Sequence, residues 1–233
     1  MRSPLLLTVT FFAAFSGGFF GGSQPAIASA PSSLKLDASK LWLLPSTPRA
    51  ADVESKATDE AMQWTPPVLH ALTLLTVTRA AEAVIWPEPF ARTEPSFWAD
   101  QYREALTEPP LFDTDQRAFS WDGDAWNVNV IGHGLMGSEL YLRARQCHFG
   151  WMGALAFTAA STATWEYVFE ANGVRPSGQD LLFTPLSGLV FGEARFRLWL
   201  AAGGLRNRTF RTAVRVLADP FGEFERGIGL FDC

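Results

Sequence analysis

Two glutamates offer the clearest prospect of acid–base chemistry in this sequence. Glu166 and Glu170 are four positions apart and follow a run of 17 uncharged residues. In a helix this spacing projects both carboxyls from one face, and the uncharged run predicts that at least one of them is partly buried. Two close carboxylates in a dry site cannot both ionise cheaply, so one pKa should rise or a cation should lie between them. Pairing with Arg143, Arg145 or Arg195 would instead make both acids part of a structural ion-pair network.

A polar segment that leads to a histidine could complete such a site. Asp122, Asp124 and Asn129 precede His133 within a stretch rich in aromatic residues. The two aspartates could cap a helix or bind a hard cation, although the later bidentate acid of a calcium loop is missing. The imidazole of His133 would act as the acid or the orienting partner of a glutamate base.

Two more polar groups stand in apolar surroundings further along the chain. Ser177 and Asp180 have the S-x-x-D spacing of a capping box, which places Asp180 at the third position of a helix. Glu193 lies in an apolar stretch and needs a partner, because an unpaired buried charge is costly.

The helix predicted after His133 carries Gly137, Tyr141 and Arg145 on one face. A glycine there lets another helix approach closely, and Arg145 on the same packed face then needs an acid partner. The candidate catalytic residues are Glu166, Glu170, His133 and Asp180, and the candidate binding residues are Asn129, Tyr141, Arg145, Trp165, Ser177 and Glu193. The sequence leaves the identity of any metal or other cofactor open.

Composition excludes several classes of protein. The 233 residues are 48% hydrophobic and carry a formal net charge of −5, with two cysteines. This is enough apolar side chain for a core, and too few cysteines for a disulfide scaffold or a cysteine-rich zinc module. A net acidic chain lacks the field that attracts phosphates, so we expect no nucleic-acid partner. Motifs such as G-x-S-x-G and H-E-x-x-H are absent.

The first 28 residues have the pattern of a signal peptide. A basic start precedes an apolar stretch, and Ala26 and Ala28 suit a signal peptidase site after Ala28. A retained transmembrane anchor is the alternative. Cleavage predicts an exported chain, in the periplasm or associated with the outer membrane. Export would permit a disulfide between Cys147 and Cys233, and two inert or separately reactive thiols are the alternative that the sequence favours.

Helical patterns dominate the rest of the chain, and strand-like alternation is scarce. We therefore predict an all-α bundle of about five helices, with an irregular lead-in over 29–65 and one helical domain over 66–233. The tail after residue 218 reads as a loop. The predicted helices cover 68–86, 97–106, 135–148, 151–171, 181–202 and 207–218.

Two features leave membrane association open. The uncharged run at 149–165 is just short of the ~20 residues that span a bilayer, so a soluble or surface-associated bundle and partial insertion are both consistent with it. The helix at 207–218 is basic and amphipathic, which is typical either of a solvated face or of contact with an anionic lipid surface. Its candidate lipid contacts are Arg206, Arg208, Arg211 and Arg215.

Several motifs together resemble one bacterial family, domain of unknown function 3943. The residues that carry the likeness are the run from Phe119 to Arg145, the W-E-Y-x-x-E motif at 165–170, and the P-S-x-x-D motif at 176–180. The likeness extends over about residues 112–226. One departure is Gly134, where the family usually has proline after the histidine. The resemblance implies an exported, envelope-associated helical domain of Gram-negative bacteria and implies no known reaction.

Three hypotheses about function follow. In the first, an envelope protein holds a buried polar pocket that binds or processes a lipid or glycolipid head group, with Glu166 or Glu170 as base if it is an enzyme. In the second, the same charges fix helix packing in a non-catalytic scaffolding module. In the third, Glu166, Glu170 and His133 bind a metal ion.

Overall fold

Prolines and capping side chains fix where the helices begin in the computed structural model, which describes residues 61–230 and 233. Pro66, Pro95 and Pro220 each lie in the first turn of a helix, where the missing N–H costs nothing. The helices are α1 (Thr65–Ile85), α2 (Pro87–Phe90), α3 (Pro95–Thr107), α4 (His133–Gln146), α5 (Trp151–Thr164), α6 (Gly178–Ser187), α7 (Glu193–Gly203), α8 (Arg208–Ala218) and α9 (Pro220–Gly227).

The all-α prediction is confirmed. Over residues 61–230 there is no strand, only an isolated bridge between Leu111 and Ser177. The predicted signal peptide and most of the predicted lead-in lie outside the described residues.

Three π-helical turns occur among the described residues, and two of them lie inside helices that the sequence predicts as continuous. The first precedes α4 (Val128–Gly132), the second follows α5 (Trp165–Phe169), and the third joins α6 to α7 (Gly188–Gly192). The predicted helices over 151–171 and 181–202 are therefore present, but each contains a π turn that the sequence did not predict. Hydrophobic periodicity does not register one extra residue in a turn, since the apolar residues on either side still recur at helical spacing.

The tail after residue 218 was also predicted wrongly, because it contains α9. Asp219 caps this helix by accepting the Gly222 N–H at 2.8 Å, and Pro220 occupies its first turn. An aspartate followed by a proline is a recognisable signal for the start of a helix. The pair Asp219-Pro220 therefore indicates α9 in the sequence.

Helix α4 is the central element of the described fold. Most of its residues are buried, including Leu140, Tyr141 and Leu142, and it packs against α1, α5, α6 and α7. A helix buried on all sides has no solvent face, so its polar side chains must find partners inside the protein.

Glycines let α4 and the α6–α7 segment cross at very short distance, as the sequence predicts for Gly137. A Cβ on Gly137 would overlap the Thr184 carbonyl, and one on Gly188 would lie 2.7 Å from the Gly137 carbonyl. Neither site has room for a methyl group. The crossing therefore aligns the turn of α4 that holds His133 with the turn of α6 that holds Asp180, because each lies four residues before a contact residue.

The two cysteines form a disulfide. The sequence was consistent with a disulfide or with two separate thiols, and the structure contains the disulfide. Cys147 and Cys233 have Cα atoms 4.9 Å apart, within the usual range for this bond. The bond ties residue 233 to the carboxyl end of α4.

Much apolar surface is exposed in the part of the chain that the structure describes. Helix α1 is long and apolar enough to cross a membrane by length and composition alone, and only 17% of its most apolar window is buried. The 149–165 run forms α5 and its flanks, and α5 has 14 residues. On α8, Phe210 and Leu217 are 59% and 78% exposed.

Candidate functional site

His133 is held in the interior by the first π turn and the close crossing of α4 with α6. Its ring is buried, with Nδ1 at 3.1 Å from Thr184 Oγ1 and Nε2 at 3.7 Å from Asp180 Oδ2. Burial lowers the pKa of His133 to about 4, against an opposing effect of the Asp122 carboxylate. The imidazole is therefore neutral at pH 7.

Glu166 enters the same region from the second π turn. Its Oε2 accepts the backbone N–H of Ser177 at 2.7 Å, while its buried Oε1 has no hydrogen-bond partner among the described residues. Burial raises the pKa of Glu166 to about 8; the Ser177 N–H opposes this and the Asp122 carboxylate adds to it.

The predicted capping box at the start of α6 is only half formed. Ser177 Oγ accepts the Asp180 N–H at 3.1 Å, as a helix cap requires, but the Ser177 N–H goes to Glu166 instead of returning to Asp180. The Asp180 carboxyl lies near His133, and its Oδ1 is buried with no hydrogen-bond partner in residues 61–230. Burial, followed by a hydrogen bond to the Asp122 carboxylate, raises the pKa of Asp180 to about 9.

Asp122 and Asn129 close the site on the side of the loop before α4. Asp122 accepts hydrogen bonds from Asn129 Nδ2 and from Ser177 Oγ, both at 2.7 Å. Burial tends to raise the pKa of Asp122, but the hydrogen bonds from Asp180, Ser177 and Asn129 outweigh it and lower the pKa. Asp122 is half-buried and residues 123–126 are exposed, so the site approaches solvent here.

Side chains from four segments thus form one buried cluster, which we call the acid site. It consists of Asp122, Asn129, His133, Glu166, Ser177 and Asp180. One atom that could bind a metal, a ring nitrogen or a carboxylate oxygen, from each of His133, Glu166 and Asp180 lies within 4.8 Å of the other two. The sequence singled out these three residues, but it assigned Asp122 only to a cap or a cation loop. The W-D-G-D segment that precedes Asn129 was the available signal for a larger role.

Every member of the acid site lies between residues 122 and 180, and a family model for a domain of unknown function (DUF3943) matches residues 118–221. The resemblance expected from the motifs is therefore confirmed for this segment. No curated protein and no solved structure matches the chain. The whole acid site is built by the DUF3943 segment.

Glu170 and Glu82 add further acid next to this site. Burial and then the neighbouring Glu166 raise the pKa of Glu170 well above its usual value. Burial raises the pKa of Glu82 to about 8, partly offset by Arg79. Glu170 lies outside the trio whose donor atoms converge. Within the described residues, no arginine or lysine forms an ion pair with Glu166, Glu170 or an aspartate of the acid site, so no cation there compensates these acids when they ionise.

A second buried cluster in the same protein is balanced in charge, and we call it the arginine network. It consists of His70, Glu139, Arg143, Arg195 and Glu225. Arg143 pairs with Glu225 at 2.7 Å and Arg195 with Glu139 at 2.6 Å, while His70 Nδ1 lies 2.7 Å from Glu225. These pairs link α1, α4, α7 and α9, so the network fixes helix packing across the fold. His70 and Glu225 lie outside the DUF3943 match.

The arginines that could have neutralised Glu166 and Glu170 are occupied elsewhere. Arg143 and Arg195 belong to the arginine network, and Arg145 pairs with Glu193 at 2.9 Å. The structural alternative for the two glutamates is therefore wrong as far as these arginines are concerned.

Three of the predicted binding residues form a group of their own. Tyr141 donates to Glu193 at 3.1 Å, and Arg145 bonds the same Glu193 and lies over the ring of Phe196. Glu193 is the acid partner that Arg145 needed. These three residues hydrogen-bond to one another, and no hydrogen bond found in the described residues joins them to the acid site. Trp165 is buried with its ring stacked on Phe169.

Proposed function

We propose that this protein works at a membrane or envelope surface, where the acid site binds or processes the polar head group of a lipid or glycolipid. Export to the periplasm or association with the outer membrane belongs to the same proposal. The observation that carries it is the convergence of His133, Glu166 and Asp180 in a buried site whose acids have no arginine or lysine partner among residues 61–230.

The unpartnered oxygens indicate the chemistry of the head group. Glu166 Oε1, Asp180 Oδ1 and Asn129 Oδ1 are all buried acceptors without a donor in the described part of the chain. A buried acceptor that makes no hydrogen bond costs about 1–3 kcal/mol, so a bound group that donates to these oxygens is favoured. Hydroxyl or ammonium groups of a head group are such donors.

The orientation of α8 supports action at a lipid surface. Arg215 lies over the ring of Trp199 at 4.6 Å, which turns the arginine face of α8 toward α7. Phe210 and Leu217 lie seven residues apart on the other face, and both are exposed. A surface helix of a soluble protein buries its apolar face, whereas this helix presents it. Arg206 and Arg208 are exposed at the start of this helix, and their charge matches an anionic surface.

Flotation with lipid vesicles tests the surface part of the proposal. We expect the full-length protein to bind phosphatidylcholine vesicles that contain phosphatidylglycerol more strongly than phosphatidylcholine alone. The double variant F210S/L217S should lose most of this binding. Val84→Ser, which changes an apolar residue of α1 that is more exposed than either, should retain it. Equal binding by F210S/L217S and the wild type would contradict the docking role of α8.

The head-group part needs a separate comparison. Vesicles enriched in phosphatidylethanolamine or in a glucosyl diacylglycerol supply the ammonium or hydroxyl donors. We expect them to increase binding of the wild type but not of Glu166→Gln. An equal increase in both proteins, or no increase in either, would contradict head-group binding at the acid site.

Export has its own measurement. Cleavage after Ala28 predicts a mature chain that begins at Ser29, which intact-protein mass spectrometry of the native protein detects. A mature protein that retains residues 1–28 would contradict a cleaved signal.

A non-catalytic scaffolding role is the second candidate function. The arginine network supports it, because charge-balanced pairs link four helices in the interior. Under this role no ligand would raise the melting temperature, and loss of a network residue would be the main way to disable the protein.

A further inference from the structure

We propose that His133, Glu166 and Asp180 together bind one divalent transition-metal ion, such as Zn²⁺ or Mn²⁺. The inference rests on the proposed function and deepens it by naming the cation that would compensate the acid site. The three residues come from the start of α4, the second π turn and the first turn of α6, so the fold brings them together from distant points of the sequence.

Distances between the donor atoms suit a shared ion. Zinc lies about 2.0–2.2 Å from nitrogen and oxygen ligands, so two ligands of a tetrahedral site are roughly 3.4 Å apart. His133 Nε2 and Asp180 Oδ2 are 3.7 Å apart, and the three donor atoms all lie within 4.8 Å of one another.

Unpartnered oxygens are the independent sign of a missing ligand. Glu166 Oε1 and Asp180 Oδ1 are buried, and neither accepts a hydrogen bond from any described residue. Asn129 Oδ1, also without a donor in that part of the chain, lies in the same cluster. Oxygens that have lost water must gain a donor or a cation.

The surrounding contacts hold the ligands as metal sites require. The hydrogen bond between His133 Nδ1 and Thr184 leaves Nε2 facing Asp180, and the Ser177 N–H fixes Glu166 Oε2. Metal-binding histidines nearly always use their other ring nitrogen in this way. Asp122, half-buried at the edge of the site, marks where a water or a substrate group would reach the ion.

The arginine network serves as an internal comparison, because it also joins one histidine to two glutamates. His70 contacts Glu225 at 2.7 Å and Glu139 at 3.4 Å, but Arg143 and Arg195 neutralise these acids. The acid site has the same types of ligand without the arginines. A mixed nitrogen and oxygen set favours a first-row transition metal over Ca²⁺ or Mg²⁺, which prefer all-oxygen ligands.

Metal analysis of the full-length protein tests the proposal. After treatment with a chelator and dialysis, the protein is titrated separately with ZnCl₂, MnCl₂, MgCl₂ and CaCl₂, and binding is followed by calorimetry and by the melting temperature. We expect about one equivalent of Zn²⁺ or Mn²⁺ per chain and a higher melting temperature on binding. We expect Mg²⁺ and Ca²⁺ to bind at least ten times more weakly.

Three isosteric or near-isosteric variants identify the ligands. Asp180→Asn, Glu166→Gln and His133→Gln should each weaken metal affinity at least tenfold. His70→Gln should leave the affinity unchanged, since it alters a histidine of the arginine network. Circular dichroism at 222 nm confirms that each variant is folded, and Glu193→Gln provides a second control if His70→Gln unfolds.

The outcomes separate this inference from the proposed function. No binding of Zn²⁺ or Mn²⁺, preference for Mg²⁺ or Ca²⁺, or wild-type affinity in all three variants would overturn the metal site. If the metal-free protein still shows the Glu166-dependent gain with head-group vesicles, only the metal site is overturned. If metal binds in the acid site but no vesicle composition increases binding, the metal site stands and the head-group proposal is overturned.

Discussion

Two buried glutamates of this protein should respond in opposite ways to the same substitution. Glu139 belongs to the arginine network, where Arg195 lies at 2.6 Å and His70 at 3.4 Å. Glu166 belongs to the acid site, and in the described residues it has no cationic partner. We predict that Glu139→Gln destabilises the metal-free protein and that Glu166→Gln does not.

The sizes follow from what each substitution leaves behind. Glu139→Gln leaves the partly buried Arg195 without its carboxylate partner and His70 with Glu225 alone, and removing one partner of a buried pair costs about 3–5 kcal/mol. Glu166→Gln removes an acid whose pKa burial raises to about 8, and Gln Oε1 can still accept the Ser177 N–H. At pH 7 an acid with such a pKa weakens the fold by at most about 3 kcal/mol, which the variant recovers in part. The two free energies of unfolding should therefore differ by about 3 kcal/mol or more.

Urea denaturation at pH 7 in the presence of a chelator measures both changes, with tryptophan fluorescence as the signal. The m-values must agree with that of the wild type for the comparison to hold. Equal destabilisation by the two substitutions would refute the distinction between a charge-balanced network and an uncompensated site. A loss of more than about 3 kcal/mol in Glu166→Gln alone would refute it too, since that loss requires a cationic partner.

Three further predictions concern the network, the helix crossing and the disulfide. Burial lowers the pKa of His70, but the neighbouring carboxylates of Glu139 and then Glu225 outweigh this and raise the pKa above 6.5. Burial would raise the pKa of Glu139, but the neighbouring His70 and Arg195 outweigh it and lower the pKa to about 2. The His70 contribution is therefore complete below pH 6.5 and lost as pH rises through its raised pKa, and the Glu139 contribution is complete above pH 4.5 and lost as pH falls toward 2. Melting temperature against pH should show both limbs, and His70→Gln should flatten the alkaline one; an unchanged alkaline limb would contradict the assignment. Gly137→Ala should lower the free energy of unfolding by about 1–3 kcal/mol, because its Cβ would overlap a carbonyl of α6, and a neutral result in denaturation would show that the crossing is looser than described. Reducing the Cys147–Cys233 disulfide, which spans 86 residues, should cost up to about 4–5 kcal/mol in the chain-entropy model, and identical denaturation curves with and without reductant would count against it.

The sequence was sufficient for the class of fold and for the close crossing. Apolar residues at helical spacing and scarce alternation predict an all-α protein, and Gly137 indicates a near approach of two helices. The interruptions were not predictable by the same reasoning, because a π turn differs from an α turn by one residue and leaves no mark in composition. The cap of α9 at Asp219 is a sequence signal, but the glycines at 222, 227 and 229 favour a loop over the same residues.

Residues of the acid site could be predicted from the sequence, but which buried acids pair with an arginine could not. Spacing and apolar surroundings singled out His133, Glu166 and Asp180. Which acid meets which arginine depends on contacts between residues far apart in sequence, such as the 82 positions between Arg143 and Glu225. A single sequence holds no distances of that kind, so the division into a balanced and an unbalanced cluster emerged only from the fold.

The direction in which Glu166 points depends on the number of residues in the second π turn. The turn is closed by a bond from the Glu170 N–H to the Trp165 carbonyl at 2.9 Å, one residue further than an α-helix would use. Deleting one residue between 165 and 169 would restore ordinary winding and rotate one side of the turn by about 100° relative to the other. A relative that lacks this single position could keep every glutamate in its alignment and still be unable to direct one toward the histidine.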